Sequence, residues 1–368
     1  MAHPGRPWAR WLTVRNMNKS HISYLACAVA VVGTGLGAAP PVPAHVTHVV
    51  KAGESIQKAV DAARSGDTVL VMSGTYHESV KVTTPGLTLR GKGRSTVIEP
   101  GTDKTANSCA ENGNGVCVIG TKDRKVEGVT VTSLTVSGFT GNGVFATATD
   151  RLTVRNVTAV KNGVWGIAQE HSVRGVFRWN TARDNGDAGL FLANAIKTEE
   201  GATDTAGTVV AHNRLEGNRI GVTVRRLRNL TVANNDITGN CAAVFVVGDE
   251  NKPKAGFVTV SDNRIARNNK SCPKTARLEA LQGSGIVLTG AEDSLVTRNV
   301  ITENVGTSSL SGGIVLFKSF VGTTSERNRI SDNKLEGNSP ADIVNADTGK
   351  DNTFEGNSCK ASLPAGLC

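Results

Sequence analysis

Aromatic residues are scarce in this 368-residue chain, which has 9 Phe, 4 Trp and 2 Tyr. Proline is also infrequent, at 11 residues, while glycine reaches 41. The glycines follow no period of three and charged residues make up 20% of the chain, which together exclude a collagen-like polymer and a disordered chain. The composition also argues against an ordinary helical enzyme and favours a glycine-rich folded protein of another class.

Acidic residues are absent from residues 1–44, which hold four of the 41 basic residues. A cationic stretch to Lys19, the apolar run ISYLACAVAVVG and small residues follow the order of a secretory signal, with cleavage predicted after Ala44 and Ala39 as the alternative. The run is too short and too glycine-rich for a membrane span, so no stable membrane anchor is predicted, although Cys27 leaves a lipid anchor as an alternative. We therefore predict a signal peptide over 1–44 and a secreted, extracellular protein.

Beyond residue 44 the sequence has no CxxC pair and no histidine pair at ligand spacing, so a structural metal centre is not predicted. Six cysteines remain there, and an even number in an exported chain predicts disulfide bonds. Many pairings are possible, but the spacing favours neighbours, namely Cys109 with Cys117, Cys241 with Cys272, and Cys359 with Cys368.

A six-residue motif, Asn-x4-Asn, recurs along the second half of the chain. The first asparagines of successive copies lie 19 to 36 residues apart, which indicates a unit of about 20 residues with insertions in the longer units. Because Asn tolerates left-handed backbone angles and its amide can stack in ladders, a structural role at turns is predicted. The seven copies begin at Asn180, Asn213, Asn235, Asn263, Asn299, Asn333 and Asn352, and a looser eighth spans 156–162.

Each unit also contains short strand-like runs with period two, one of them of the form Gly/Ala-apolar-x-apolar. A unit of this size cannot bury its apolar face alone, so stacked units must share a core. We therefore predict an all-β fold, a single-stranded right-handed parallel β-helix in which each coil hydrogen-bonds to the next. Its inward apolar column is predicted to comprise Val144, Ile167, Leu190, Val222, Val244, Ile286 and Ile314.

The region before the repeats supports the same fold. The run SIQKAVDAARSGD (55–67) predicts a short amphipathic cap helix with Ser55 as its N-cap and Gly66 as its stop, covering the open end of the first coil. Residues 49–360 resemble the right-handed β-helix repeat family, which includes pectate-lyase-like proteins, mannuronan epimerases and accessory proteins of nitrous oxide reductase. We accordingly predict a cap helix and first coils with a disulfide-clipped insertion over 45–128, and repeat coils with a C-terminal closure over 129–368.

One outward-facing column is unusually apolar for a solvent face. Either a loop or another copy of the chain covers it, or it is a platform for a sugar or an elongated ligand, and cover or self-association is favoured. The insertions 195–207 and 249–255 are the candidate covers. Trp179 is predicted to be a local plug rather than an exposed stacking surface. The apolar column comprises Phe145, Ala168, Phe191, Thr223, Phe245, Val287 and Val315.

Polar residues gather at the next outward positions of adjacent coils. A carboxylate, an imidazole and guanidinium groups in one place could bind an acidic sugar and exchange a proton with its ring carbon. The same residues could instead form a solvated corner of ion pairs. We predict catalytic residues Glu170, His171, Asp187 and Arg225, and substrate-binding residues Phe191, Asn194 and Arg226.

In the predicted reaction, arginine or a calcium ion neutralises a uronate, His171 or Arg225 takes the ring-carbon proton, and Glu170 or Asp187 orients or returns it. The run WGIAQEHS (165–172) is similar to the aromatic-Gly-apolar-Asp-Pro-His-acidic segment of mannuronan epimerases. Here Glu170 stands in place of the histidine and His171 follows one residue late. A one-residue slip in a strand moves a side chain to the opposite face, so the chemistry is expected to differ.

The predicted function is that of a secreted β-helix protein that acts on or binds an acidic polysaccharide, as a lyase or epimerase. The alternative is a non-catalytic carbohydrate-binding or cell-envelope scaffold. No nucleic-acid partner is predicted, because the basic excess beyond residue 44 is mild. No motif requires a cofactor. The one candidate is a calcium ion held by loop carboxylates such as Asp249 and Glu250.

Overall fold

The computed structural model describes residues 45–276 and 278–368, which form one compact unit of stacked coils. The predicted signal peptide lies outside the described residues. Three long parallel sheets, named here sheets A, B and C, run the length of the solenoid, and each coil contributes one strand to each sheet in turn. This is the predicted right-handed parallel β-helix. No helix within the described ranges is long and apolar enough to span a membrane.

The strands of each sheet follow one another in the order of the chain. Sheet A contains Thr47–Val50, Thr68–Val71, Thr88–Gly91, Thr130–Thr132, Thr153–Arg155, Val176–Arg178, Thr203–Ala211, Leu227–Ala233, Ala255–Ser261, Ala291–Glu292, Leu295–Thr297, Arg329–Ser331 and Thr353–Glu355. Sheet B contains Gly74–His77, Thr96–Glu99, Thr135–Ser137, Thr158–Val160, Thr181–Arg183, Arg214–Glu216, Asp236–Thr238, Arg264–Ala266, Val300–Thr302 and Lys334–Glu336. Sheet C contains Val80–Val82, Val116–Ile119, Val144–Thr147, Ile167–Glu170, Ala188–Ala193, Ile220–Arg225, Ala242–Val247, Ser284–Thr289, Gly312–Phe317, Ile343–Ala346 and Ser362–Leu363. A separate two-stranded pair joins Val126–Glu127 and Thr149–Asp150.

The predicted inward column is confirmed. Its seven residues are paired from coil to coil in sheet C, beginning with Val144 on Ile167 and ending with Ile286 on Ile314, and none exposes more than 1% of its surface. The alternation of the strands therefore fixes the inward face of sheet C, because a slip of one residue would expose the whole column.

Two ladders of stacked asparagine side chains line the corners of the coils. At both corners the left-handed backbone position is taken by the residue before the ladder asparagine, for example Asn234 before Asn235, rather than by the ladder asparagine as predicted. Within each ladder an amide donates to the side-chain oxygen of the next asparagine, and most also donate to a carbonyl of a neighbouring coil, as Asn235 does to Asn263 and Val210. The A–B ladder contains Asn180, Asn213, Asn235, Asn263, Asn299, Asn333 and Asn357, and the B–C ladder contains Asn162, Asn185, Asn218, Asn240, Asn268, Asn304 and Asn338.

The last motif copy is displaced by one corner. Asn357 stacks on Asn333, and Asn352 stacks on Asn328 at a third corner, so the true interval is 24 residues in both cases. The apparent interval of 19 residues was wrong because the same amide stacking occurs at more than one corner of a coil. The shortest interval between stacked asparagines is 22 residues, from Asn213 to Asn235.

The cap helix, α1 (Ile56–Ala62), closes the first coil. Its N-cap Ser55 accepts a hydrogen bond from the Lys58 backbone, and the helix places Ile56 and Val60 in the main core. The helix ends at Ala62, earlier than the predicted stop at Gly66, which instead takes a left-handed angle in the following turn. A second short helix, α2 (Ser108–Glu111), lies in the early insertion.

All three predicted disulfides are present. Cys109–Cys117 closes the early insertion, Cys241–Cys272 joins adjacent coils, and Cys359–Cys368 fastens the tail, with Cα–Cα distances of 5.8, 6.0 and 5.3 Å. Cys359 and Leu367 pack against the main core beside Phe354, so the tail covers apolar surface of the last coil.

Acid should weaken the N-terminal end of the solenoid through Asp67. Its carboxylate accepts hydrogen bonds from the Arg64 and Val46 backbones and from His48, and these lower the pKa of Asp67 from 3.8 to about 2. The folded pKa lies below the unfolded one, so this stabilisation is complete above pH 3.8 and disappears as the pH falls toward 2. Asp67→Asn should therefore lose less unfolding free energy between these pH values than the wild type in urea titrations. Equal losses would contradict the assignment.

Candidate functional site

A cavity of about 1260 Å³ lies on the outer face of sheet C. Phe191, Thr223 and Phe245, from three successive coils, form part of its floor. One wall comes from the segments around 196–199 and 248–250, and the opposite wall comes from 270–276 and Leu278. Phe320 and Val321, more than half exposed, lie at its rim. The insertions between coils therefore build a cleft on a flat sheet.

The apolar outer column is covered at both ends of this cleft. Ala168, Val287 and Val315 are buried in a second hydrophobic cluster, separate from the main core. The cover differs from the prediction in part: Leu281 and Leu310 lie in neither predicted insertion, while the insertion 195–207 contributes Ile196. The disulfide at Cys272 and paired backbone hydrogen bonds between Cys272 and Leu281 hold the first of these segments.

An aromatic stack and a carboxylate meet at one end of the cleft. Trp165 stacks on Phe191 with ring centroids 4.0 Å apart and planes inclined by 11°. The indole Nε1 of Trp165 donates to Asp187 Oδ2 at 3.0 Å, which fixes this carboxylate at the start of a sheet C strand. Asp187 and Phe191 both line the cavity, so the predicted carboxylate and the predicted apolar platform are brought together.

Arg219 is a cavity residue that the sequence reasoning missed. Its guanidinium donates to the carbonyls of Pro273 and Glu279, at 2.6 and 3.0 Å, and so ties the wall that contains Pro273 to the floor. Burial lowers the pKa of Arg219, while the negative charge of Asp187 opposes that shift. The available signal was a charged residue inserted between ladder Asn218 and the apolar Ile220.

Glu170 and Arg225 hold the beginning of the insertion 195–207 between them. They occupy the predicted column two coils apart, with Ala193 between them. Glu170 Oε2 accepts from the Ile196 backbone at 3.3 Å, and Arg225 donates to the carbonyls of Ala195 and Ile196 at 3.2 and 3.3 Å. The cluster is therefore organised around the loop backbone, and Arg225 alone of the two lines the cavity.

Arg226 and Asn194 hold the rest of the insertion. The side chain of Arg226 is 6% exposed and forms ion pairs with Asp249 and Glu199, and it donates to the Thr198 carbonyl at 2.9 Å. Asn194 is buried, donates to the Gly201 carbonyl and accepts from Thr203, both at 2.6 Å. These two residues close the insertion over 195–202 and form the base of one cleft wall.

The structure separates the predicted site residues into two groups. Asp187, Phe191, Arg225 and Arg226 line the cavity, whereas Glu170, His171 and Asn194 do not. His171 lies at an exposed turn with a φ of 49°, which directs the chain away from sheet C. Within the described ranges there is no group of three or more His, Cys, Asp or Glu side chains arranged to hold a metal ion.

Two family models match overlapping parts of the chain. The model of the right-handed beta helix region matches residues 101–256, and that of the periplasmic copper-binding protein NosD matches residues 194–362. No curated protein matches the sequence. The matches and the stacked parallel sheets define a solenoid protein of repeated coils. Over both matched segments the chain is similar to right-handed β-helix repeat proteins.

Solved structures share this fold at low sequence identity. The A-module of the mannuronan C-5 epimerase AlgE4 from Azotobacter vinelandii has 19% identity and a TM-score of 0.52, over 83% of this chain and 92% of that module. A PL6 alginate lyase solved with a trisaccharide has 12% identity and a TM-score of 0.51, over 85% of this chain and 80% of the lyase. ORF18 of Geobacillus virus E2 has 15% identity and a TM-score of 0.50, over 82% of this chain and 56% of that one.

Proposed function

We propose that the cleft on sheet C binds a segment of an acidic polysaccharide, and that Asp187 and the neighbouring Arg219 act there on a uronate residue as in a lyase or an epimerase. The observation that carries this proposal is the meeting of an aromatic floor, guanidinium groups and one fixed carboxylate in a single cavity. An epimerase module and an alginate lyase that share the fold support the choice of polymer.

Binding follows from the two kinds of surface in the cleft. The apolar floor includes Phe191 and Phe245, which are 6% and 2% exposed, so it offers the C–H groups of a sugar ring a narrow apolar contact rather than an open stacking face. The guanidinium of Arg225 can meet a sugar carboxylate, because Arg forms charge-assisted hydrogen bonds with carboxylates. A neutral polymer would use only the first of these interactions, so the proposal favours an acidic one.

The chemistry starts at the ring carbon that bears the carboxylate. Arg219, whose backbone N–H donates to the Asp187 carbonyl at 2.9 Å, neutralises the uronate and thereby makes the neighbouring C–H bond more acidic, and Asp187 takes the proton. For the epimer, a water molecule on the opposite face returns a proton to the carbon, and Asp187 releases its proton to solvent. For the lyase, the bond from the ring to the glycosidic oxygen breaks as the carbon–carbon double bond forms, and the proton on Asp187 passes to the leaving oxygen.

The alternative is a non-catalytic binding or scaffold protein. One observation favours it, because Glu170 and His171, which were predicted to share the proton transfers, lie outside the cavity. In both cases we propose that the protein is exported, since three disulfides need an oxidising compartment.

Turnover is tested by comparing the wild type with Asp187→Asn on a panel of acidic polysaccharides. Ultraviolet absorbance detects the unsaturated product of a lyase, and proton NMR detects inverted sugars. Asp187→Asn should lower turnover at least about 100-fold, because a general base contributes that much or more, and should change binding only a few-fold.

Asp184→Asn is the matched control, since Asp184 lies three residues away on an exposed turn outside the cleft. It should keep full activity. Undiminished turnover in Asp187→Asn would refute the catalytic assignment. Binding by the wild type without either product would select the scaffold alternative.

A further inference from the structure

Trp179 lies on a different face of the solenoid, at the corner between sheets A and B. It is 52% exposed, which overturns the predicted role as a plug, and its indole stacks on His212 of the next coil with centroids 5.8 Å apart. Both residues take the left-handed backbone position before a ladder asparagine, with φ of 57°. Adjacent coils place Asn156 and Asn234 at the same corner position, and Asn suits that backbone better than Trp does.

Folding alone therefore does not account for a tryptophan at position 179. The indole leaves 52% of its surface exposed, and a left-handed angle is unfavourable for a bulky residue. An exposed aromatic pair on adjacent coils instead presents a flat apolar surface at the corner.

A small groove lies beside the exposed indole. Its volume is about 200 Å³, and it is lined by Trp179, Arg94, Thr158 and Thr181. The two threonines are directly paired on adjacent coils of sheet B and are partly exposed. They therefore present a row of hydroxyl groups, which donate and accept hydrogen bonds, between the indole and the arginine.

One arginine lines this groove, and two more precede lining residues in the chain. Arg94 lines it, and Arg155 and Arg178 are paired on adjacent coils of sheet A immediately before Asn156 and Trp179. An aromatic plane, hydroxyl groups and guanidinium groups match the three parts of a uronate, namely the C–H face of its ring, its hydroxyl groups and its carboxylate.

We propose that the corner formed by Trp179, His212, Arg94, Thr158 and Thr181 is a second binding site, for a uronate-containing saccharide. The indole stacks on one sugar ring, the threonine hydroxyls bond to its hydroxyl groups, and Arg94 pairs with its carboxylate. This corner shares no residue with the cavity on sheet C, so the proposal does not depend on what that cavity does.

The test is a calorimetric titration of the full chain with a short oligouronate, in the wild type and in Trp179→Asn. Asn is the residue that neighbouring coils carry at this position, so the variant should fold normally, which circular dichroism checks. Trp179→Asn should abolish one class of binding site. Arg94→Met should weaken that class about tenfold, in line with the loss of one charge-assisted hydrogen bond.

Tryptophan fluorescence gives an independent measurement of the same site. Residues 45–368 contain two tryptophans, Trp165 beneath the cleft and Trp179 at the corner. In Trp165→Phe, the oligouronate should change the tryptophan emission in a saturable manner. The double variant Trp165→Phe/Trp179→Phe keeps only Trp8 and Trp11 and serves as the control, so its emission should not change.

Each outcome separates this proposal from that for the cleft. If the cleft does not bind, Trp179→Asn should remove all binding, whereas Phe245→Ala should remove none. A neutral oligosaccharide of the same length should bind the corner more weakly than the oligouronate. Unchanged stoichiometry in Trp179→Asn, or unchanged emission in Trp165→Phe, would overturn the second site.

Discussion

Replacing Asn235 by Ala should lower the free energy of unfolding by about 3–5 kcal/mol, because two buried donors lose their acceptor. The side-chain oxygen of Asn235 accepts from both the backbone N–H and the side-chain amide of Asn213, each at 2.9 Å. Its own amide donates to the Val210 carbonyl and to Asn263, at 3.0 and 2.9 Å. Alanine can make none of these bonds, and the site is closed to water.

Urea unfolding followed by circular dichroism measures this loss, and hydrogen exchange locates it. Protection should fall mainly in the coils of Asn213, Asn235 and Asn263, since each coil of a solenoid contacts only its neighbours. Asn234→Gly is the matched control, because Asn234 is exposed and glycine keeps its left-handed angle. Equal destabilisation by both substitutions would show that the turn, and not the ladder, provides the stability.

Arg226→Met should destabilise the protein by about 3–5 kcal/mol and release the insertion over 195–202. The substitution leaves the carboxylate of Asp249, whose side chain is 12% exposed, without its guanidinium partner. It also removes the contacts to Glu199 and the Thr198 carbonyl that hold the loop. Hydrogen exchange should rise across this loop, and binding in the cleft should weaken because one wall is no longer fixed.

Two further variants separate charge from packing in this effect. Arg183→Met removes an exposed ion pair with Asp184 and should cost at most about 1 kcal/mol. Adding Asp249→Asn to Arg226→Met removes the unpaired charge and should restore part of the lost stability. A double variant no more stable than the single one would mean that the guanidinium acts through packing rather than charge.

The sequence was sufficient for the features that repeat. Period-two alternation predicted the inward column of Val144 to Ile314 and, in the same register, the column that contains Glu170 and Arg225. The cysteine pairing could also be predicted, since adjacent coils place the Cα atoms of Cys241 and Cys272 6.0 Å apart. These features are local or recur at every coil, so one chain carries many examples of each rule.

The candidate site was harder to predict because it depends on the insertions, which do not repeat. The column placed Glu170 and Arg225 near each other, but only the folded loop shows that the Ile196 backbone lies between them. Arg219 was missed for the same reason, since its acceptors Pro273 and Glu279 belong to a segment more than 50 residues later in the chain. Loop paths of this kind follow from long-range packing rather than from periodicity.

Parallel stacking also places side chains at a regular spacing along the axis of the molecule. Successive strands of sheet C are separated by about 4.8 Å, so Phe191, Thr223 and Phe245 mark the cleft floor at regular steps. A polymer that lies along the axis contacts the side chains of one coil after another. A polymer that runs parallel to the strands contacts the side chains of a single coil. The number of coils between the two covered ends of the cleft thus sets how many units of an axial ligand the protein can hold.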